Sequence, residues 1–387
     1  MRLQRLGIES VDEQQWSMAE LPTSTRELVS TLESDGSISL SIRTSDLRAL
    51  GPGDVLIKVG AAPINPSDLG LMFAGASLAD ATSDGGSVNT KVTAGLDSMG
   101  ARMGTQIACG NEGGGSVIAT GDDPAAAALA GSTVGFISGD AYAEYRVLHH
   151  SQCLQMPEGT SDEQAASWFV NPLTALGMTE TMRRDGHNAL IHTVGGSNLG
   201  RMLQRICDAD GIELVNLVRR PDQAAALREQ GASYVVDTSA DSFESDLTDA
   251  LRSTGATIAF DAIGGGELAG TLLATMERVA SEGAAYSRYG SDTMKQVYVY
   301  GRLDPSPIVL QQRFGLSWSV SGWLLTPFLG SIGADVQRLR KRVAAEIDTT
   351  FASSYGARIS LDDAVDADHA RAYAAVATGE KALIVPH

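Results

Sequence analysis

Residues 188–222 read NALIHTVGGSNLGRMLQRICDADGIELVNLVRRPD. Residues 189–194 form a short apolar run, the length of a buried strand. Glycines follow at Gly195, Gly196 and Gly200. From about Asn198 to Ala209 the spacing predicts a helix with Leu199, Met202, Leu203 and Ile206 on one face. Gly211 ends it, and a second apolar run covers residues 214–218. Strand, tight turn, helix and strand make one right-handed crossover unit with parallel strands.

A helix that starts at such a turn points free N–H groups outward, and an anionic pyrophosphate suits that spot. The dinucleotide fingerprint wants glycine at three positions. Gly195 and Gly200 fill the first and third, and Ser197 stands at the second. Its side chain crowds a pyrophosphate more than hydrogen would, while its hydroxyl offers a donor. An ordinary strand-to-helix turn, with glycines for packing, is the plain alternative. The end of the second strand favours the nucleotide. An NAD site places Asp or Glu there to bind the ribose hydroxyls, whereas this chain has Arg219 and Arg220. A guanidinium binds a 2′-phosphate through paired, charge-assisted bonds, so the sequence predicts NADPH over NADH. Two arginines that only solvate a strand end are the other reading. Asp222 follows Pro221, at the predicted start of the next helix.

At 387 residues the chain is long enough for two domains. Its composition, 43% hydrophobic and 20% charged, is that of an ordinary globular protein. The net charge of −18 argues against nucleic acid and anionic membranes as partners. It also gives an anionic cofactor no general attraction, so the arginines must supply a local positive site. Cys109, Cys153 and Cys207 are widely spaced and form no CxxC pair. That suits a reducing cytosol and excludes a cysteine-rich zinc lobe. No signal-peptide core and no membrane-length apolar run is visible, so the expected location is cytoplasmic. The most apolar short run, 323–332, is interrupted by Pro327 and Gly330 and is expected to be buried or subunit-facing.

The first 150 residues read as a small β-rich domain. Residues 37–43 alternate as a half-buried strand does, 54–61 form a stronger strand, and 62–71 (APINPSDLGL) are a loop. Residues 76–105 are rich in Gly, Ser, Ala and Thr and read as a long mobile loop, either a lid or an insertion without a role. Gly113, Gly114 and Gly115 demand unusual backbone angles or a close approach, and strands are expected at 116–120, 132–137 and 142–148. Helices are expected at 162–169 and again from Asn171. Beyond the dinucleotide unit, helices (222–230, 243–253, 268–280) alternate with strands (234–237, 257–261, 296–303). That alternation specifies a doubly wound parallel sheet of the Rossmann type. The tail is expected to hold a strand, a helix over 362–378 and a last strand at 382–385.

The whole order is β-domain, dinucleotide domain and return, and it resembles the medium-chain dehydrogenase/reductase superfamily. The blocks INPSDL (64–69), GNEGGGSV (110–117), NPLTALG (171–177) and ATGEKALI (377–384) carry the resemblance. It implies an α/β chain with a GroES-like β-rich catalytic domain, residues 1–165 and 345–387, and a Rossmann NADPH-binding domain, residues 166–344. Within the superfamily the chain looks most like the zinc-free quinone oxidoreductases and the enoyl-thioester reductases. Zinc-dependent relatives place a ligand Cys at Asn65 and a ligand His at Asn111. A neutral amide is a poor zinc ligand, so no catalytic metal is expected. The adjacent His149 and His150 have no partner pattern and read as surface or packing residues.

The resemblance places Asn65, Asp68 and Thr174 as catalytic residues around the nicotinamide and acceptor, with Asn171 on the cofactor. Gly195, Gly196, Ser197, Asn198, Leu199 and Gly200 would hold the pyrophosphate, and Arg219 with Arg220 the 2′-phosphate. Without a metal, hydride transfer from NADPH to a quinone or another electron-poor conjugated carbonyl is the expected reaction. The enoyl-thioester reductases carry a proton-donating Tyr beyond their INPSD block, where this chain has LMFAGAS (71–77). Its absence puts quinone reduction ahead of 2-enoyl-thioester reduction, with a non-catalytic NADPH-binding protein as third alternative. Tyr286 and Tyr289 are the nearest tyrosines by type, and Tyr289 is kept among the cofactor-binding candidates. The resemblance also implies a homodimer, paired through an unpaired edge strand within 296–310.

Overall fold

The computed structural model describes residues 21–310, 313–375 and 381–387. Six parallel strands form the dinucleotide-type sheet. Their spatial order is Tyr234–Asp237, Glu213–Val218, Ala189–His192, Ile258–Asp261, Lys295–Val299 and Trp318–Gly322. The chain starts in the middle, winds one way, then returns and winds the other way. That reversal, between Ala189–His192 and Ile258–Asp261, opens a crevice beyond the carboxyl ends of the strands. Apolar cores fill both faces. Leu190, Phe260, Met202 and Leu203 pack on one side, and Ile191, Val215, Leu272 and Val297 on the other. Burial of both faces explains why these strands read as continuous apolar runs.

The other domain is antiparallel except where Tyr355–Ile359 runs parallel to Lys381–Ile384. Strand Asp54–Pro63 pairs with Glu112–Thr120, with Tyr145–His149 and with Lys381–Ile384, so the chain's end returns to the first domain. Gly113–115 lie within strand Glu112–Thr120, none at positive φ. Close approach is what requires them. A Cβ at Gly113 would meet the Phe136 ring at 2.5 Å, one at Gly114 the Asp162 carbonyl oxygen at 2.2 Å, and one at Gly115 the Lys58 carbonyl oxygen at 2.2 Å.

Several expectations change. Residues 76–105 are not a bare loop. Ser87–Lys91 pairs with Ser37–Asp46, Val88 and Val92 are buried, and Leu96–Arg102 forms a 3-10 turn. Arg102 ties it down by donating to Ser30 Oγ at 2.8 Å and to the Leu71 carbonyl. Helix 162–169 is only Asp162–Ala166, and Val170 opens the next helix, Val170–Arg184. Strand 296–303 ends at Val299, and Trp318–Gly322 lies outside it as the sheet's edge. Residues 325–332 form a helix that buries Leu325 and Phe328. The helix expected over 362–378 breaks into Leu361–Ala364 and Ala367–Ala374, because Asp366 caps a new start. Its last residues, and Ala377 to Glu380 of the ATGEKALI block, lie outside the described residues. Among the described residues no helix is long and apolar enough to cross a membrane.

Candidate active site

Asn65 caps helix Pro66–Phe73, and its backbone N–H donates to Asp68 Oδ2 at 2.8 Å. Asp68 Oδ1 accepts from the Asn111 backbone N–H at 3.1 Å. Asp68 is fully buried, and burial pushes its carboxyl up to about 6, aided by the nearby Glu112 and opposed by the Asn65 N–H. Glu112 is also fully buried. Its Oε1 accepts from Asn65 Nδ2 at 2.9 Å, and its Oε2 accepts from the backbone N–H groups of Phe169 at 2.8 Å and Val170 at 3.0 Å. A carboxylate is well placed there, because those groups are the free donors at the start of helix Val170–Arg184. Lys381, buried on the returning strand, donates from Nζ to Asn65 Oδ1. Burial lowers its pKa, and the Glu112 and Asp68 charges oppose that. Asn171 and Thr174, both buried, sit in the first turns of helix Val170–Arg184, directly beyond Glu112.

A second group of residues lies at the carboxyl edge of the parallel sheet. Ser197 caps helix Asn198–Asp210, its Oγ accepting from the Gly200 N–H at 3.0 Å. Acceptance uses a lone pair, so the hydroxyl proton stays available to an anion. A Cβ at Gly200 would lie 2.3 Å from the Gly195 carbonyl oxygen, and one at Gly195 would lie 2.7 Å from Asn216 Cβ. The turn therefore closes only with glycine at both places. Asn198 Nδ2 donates to the Ser354 carbonyl at 3.4 Å, tying the turn to the returning chain. Leu199 is core, packed with Met202 and Leu203, and only its backbone faces the turn. Thr193 Oγ1 donates to Asp261 Oδ1 at 3.0 Å and accepts from the Ala262 N–H at 2.9 Å, which locks the two central strand ends together.

Arg219 and Arg220 are exposed just past strand Glu213–Val218. They are not equivalent. Arg220 pairs with Asp222 at 3.1 Å, while the Arg219 backbone N–H reaches Gln223 Oε1 at 3.4 Å. A turn with no room for a Cβ at Gly195 or Gly200, the N-terminus of a 13-residue helix and an exposed arginine at the next strand's end fit a dinucleotide carrying a 2′-phosphate.

Comparison with known proteins agrees with this geometry. Residues 51–158 match the family model of the alcohol dehydrogenase GroES-like domain. A quinone oxidoreductase of Pseudomonas aeruginosa is 28% identical over 160 residues, 40% of this chain and 48% of that protein. A mitochondrial enoyl-acyl-carrier-protein reductase of Rattus norvegicus is 26% identical over 230 residues, 56% of this chain and 53% of that protein. The chain thus spans about half the length of the curated relatives it matches. A solved structure from Mesorhizobium loti, provisionally designated an NADPH:quinone reductase, superposes with a TM-score of 0.72 at 24% identity, covering 95% of this chain and 99% of its own. Residues 51–158 thus match the GroES-like domain family, and the chain as a whole has the fold of the Mesorhizobium loti protein.

On the structure the sequence-derived site divides. Asn65 joins Asp68 to Glu112, and Asn171 and Thr174 lie in the helix whose first N–H groups Glu112 accepts. Gly195 to Gly200 form one turn, and Arg219 stands at the neighbouring strand end. Tyr289 does not join them. It lies on the connection that leads into the start of strand Lys295–Val299, the end of the sheet opposite the carboxyl ends where doubly wound sheets bind ligands. There it is half-exposed beneath Arg288, so it leaves the cofactor set. Glu112 and Lys381 were not singled out from sequence, although each stands in a block quoted above. Charge in an otherwise apolar strand was the available signal in both. Among the described residues no three of His, Cys, Asp and Glu are grouped as a metal would need.

Proposed function

We propose that the chain is an NADPH-dependent oxidoreductase that transfers hydride to a quinone or another electron-poor conjugated carbonyl without a metal. The observation that carries this reading is the Lys381 ammonium bonded to Asn65, at the position of a zinc ligand in the metal-dependent relatives. A fixed cation there repels a second cation, and an amide offers it little. NADPH supplies the hydride when bound. Ser197 and the free N–H groups of helix Asn198–Asp210 hold its pyrophosphate, and Arg219 reads its 2′-phosphate. Asn65 and Thr174 orient the acceptor beside the nicotinamide, with Asn171 on the cofactor. Hydride addition makes an enolate or hydroquinone anion, and a proton from solvent or a protein group neutralises it. Asp68, protonated below about pH 6, is one such group within the array. The two domains, residues 1–165 with 345–387 and residues 166–344, close the crevice from its two sides, and the working unit is a homodimer.

A 2-enoyl thioester is the second acceptor to weigh, because the enoyl-acyl-carrier-protein relative matches over more of this chain than the quinone oxidoreductase does. The deciding experiment follows NADPH oxidation by purified, metal-stripped protein. It offers 1,4-benzoquinone, 9,10-phenanthrenequinone and crotonyl-CoA in parallel, with NADH as control. Quinone turnover with NADPH and little with NADH supports the reading. Turnover of crotonyl-CoA alone moves the assignment to enoyl reduction. Activity lost on stripping and restored by zinc would sink the metal-free reading. Tight NADPH binding without turnover leaves a binding protein.

A further inference from the structure

The Asn65 carboxamide sits between two buried charges of opposite sign. An ammonium can only donate and an ionised carboxylate can only accept. The amide therefore has one orientation, with Oδ1 on Lys381 and Nδ2 on Glu112. Rotating it by half a turn would set its NH2 against the ammonium and its carbonyl against the carboxylate, both buried and unpaired. Glu112 cannot yield, because its other oxygen already holds the Phe169 and Val170 N–H groups. Nδ2 carries two hydrogens, and Glu112 Oε1 takes one. The other is a donor of fixed direction. A cation on Oδ1 also draws charge from the amide and strengthens that donor.

We propose that Lys381 is a positioning residue for the reduction. It holds the Asn65 carboxamide so that the free Nδ2 hydrogen meets the carbonyl oxygen of the hydride acceptor, where negative charge develops. This rests on the reading under Proposed function. Lys381 touches neither cofactor nor acceptor in this account, and its effect passes through Asn65. The same geometry gives it a role that a packing residue would lack. Replacement by an apolar chain of similar length leaves the volume filled but takes the cation off Oδ1, so that Glu112 alone holds the amide and the free Nδ2 hydrogen is a weaker, less firmly aimed donor.

The test compares full-length wild type, Lys381→Met and Lys381→Arg. Each is melted, assayed with NADPH and either 1,4-benzoquinone or crotonyl-CoA, and examined by NMR with 15N-asparagine. The Asn65 side-chain pair is assigned by its loss in Asn65→Ala. Lys381→Met is expected to fold, to keep its KM for NADPH within about threefold, and to lose kcat by about tenfold or more. Its Asn65 pair should shift or broaden, and Lys381→Arg should regain part of kcat and of the wild-type signal. A Lys381→Met enzyme within about twofold of wild-type kcat, with the Asn65 pair unmoved, would overturn the inference. If wild type reduces no acceptor, the functional reading fails instead. The Asn65 pair then decides alone, and an unmoved pair in Lys381→Met rejects the positioning role. Should Lys381→Met not fold, the Lys381→Arg protein is judged by the same signal. The role stands if its Asn65 pair stays near the wild-type position and falls if the pair matches a freely rotating amide.

Discussion

A side-chain carbon on Gly200 would lie 2.3 Å from the Gly195 carbonyl oxygen, in the turn where Ser197 caps helix Asn198–Asp210. Gly196, one residue on in the same turn, has only the Gln223 side chain at 3.4 Å, an ordinary contact. Gly200→Ala is therefore expected to push the helix off the strand and to cost about 1–3 kcal/mol, as overpacking does. Gly196→Ala should cost about 1 kcal/mol or less. Denaturant melts of both variants check this, and equal losses would mean that the turn gives way as easily at one glycine as at the other.

Arg219 and Arg220 are expected to separate by function. Arg220 already faces Asp222, which offsets its charge. Arg219→Ala should weaken NADPH binding by about 10- to 100-fold, the size of a charge-assisted bond to phosphate, and leave NADH binding nearly unchanged. Arg220→Ala should change either by only about twofold. Calorimetric titration of both cofactors into both variants measures it. Equal weakening of NADH by Arg219→Ala would remove the 2′-phosphate from the account.

The doubly wound sheet was legible because its strands are buried on both faces and its helices are separated by glycine turns. Leu268–Ala280 and Tyr234–Asp237 fall where the pattern puts them. Trp318–Gly322 was missed because WSVSG is half polar, as suits an edge strand. Residues 76–105 were misread because the strand Ser87–Lys91 holds a single buried apolar residue, and its partner strand lies about fifty residues earlier in the chain. In the site, the residues proposed to meet a ligand were visible through local motifs. Lys381 was not, because its meaning comes from Asn65, which lies 316 residues away. A spacing of that length has no periodicity to read.

Asp68 gives a dependence on pH with a definite sign. Its ordinary value is 3.8, and burial pushes it up to about 6 in the folded chain. The folded protein holds this proton more tightly than the unfolded chain does. Its contribution is therefore fully present below pH 3.8 and is lost as pH rises through 6. Relative to Asp68→Asn, wild type should lose on the order of 3 kcal/mol between about pH 3.5 and pH 7. Urea melts of both proteins across that range test it. A difference that stays constant with pH would mean that folding leaves the Asp68 pKa unshifted.

The edge of the parallel sheet gives the last expectation. Lys295–Val299 is covered by Trp318–Gly322, so pairing between copies at this edge uses the latter strand and not residues 296–303. Exposed apolar side chains flank that edge, with Leu316 at 71% and Leu324 at 64%, and Leu303 and Val309 also exposed. A bare edge beside such a patch invites self-association, and a two-fold axis satisfies both copies at once. The protein is expected to run at twice its chain mass in light scattering after gel filtration. Leu316→Glu combined with Leu324→Glu should give a folded monomer, since both side chains are exposed in the single chain and their replacement disturbs no core. A wild-type monomer at micromolar concentration would reject the pairing. A double variant that remains dimeric would place the interface elsewhere on the surface.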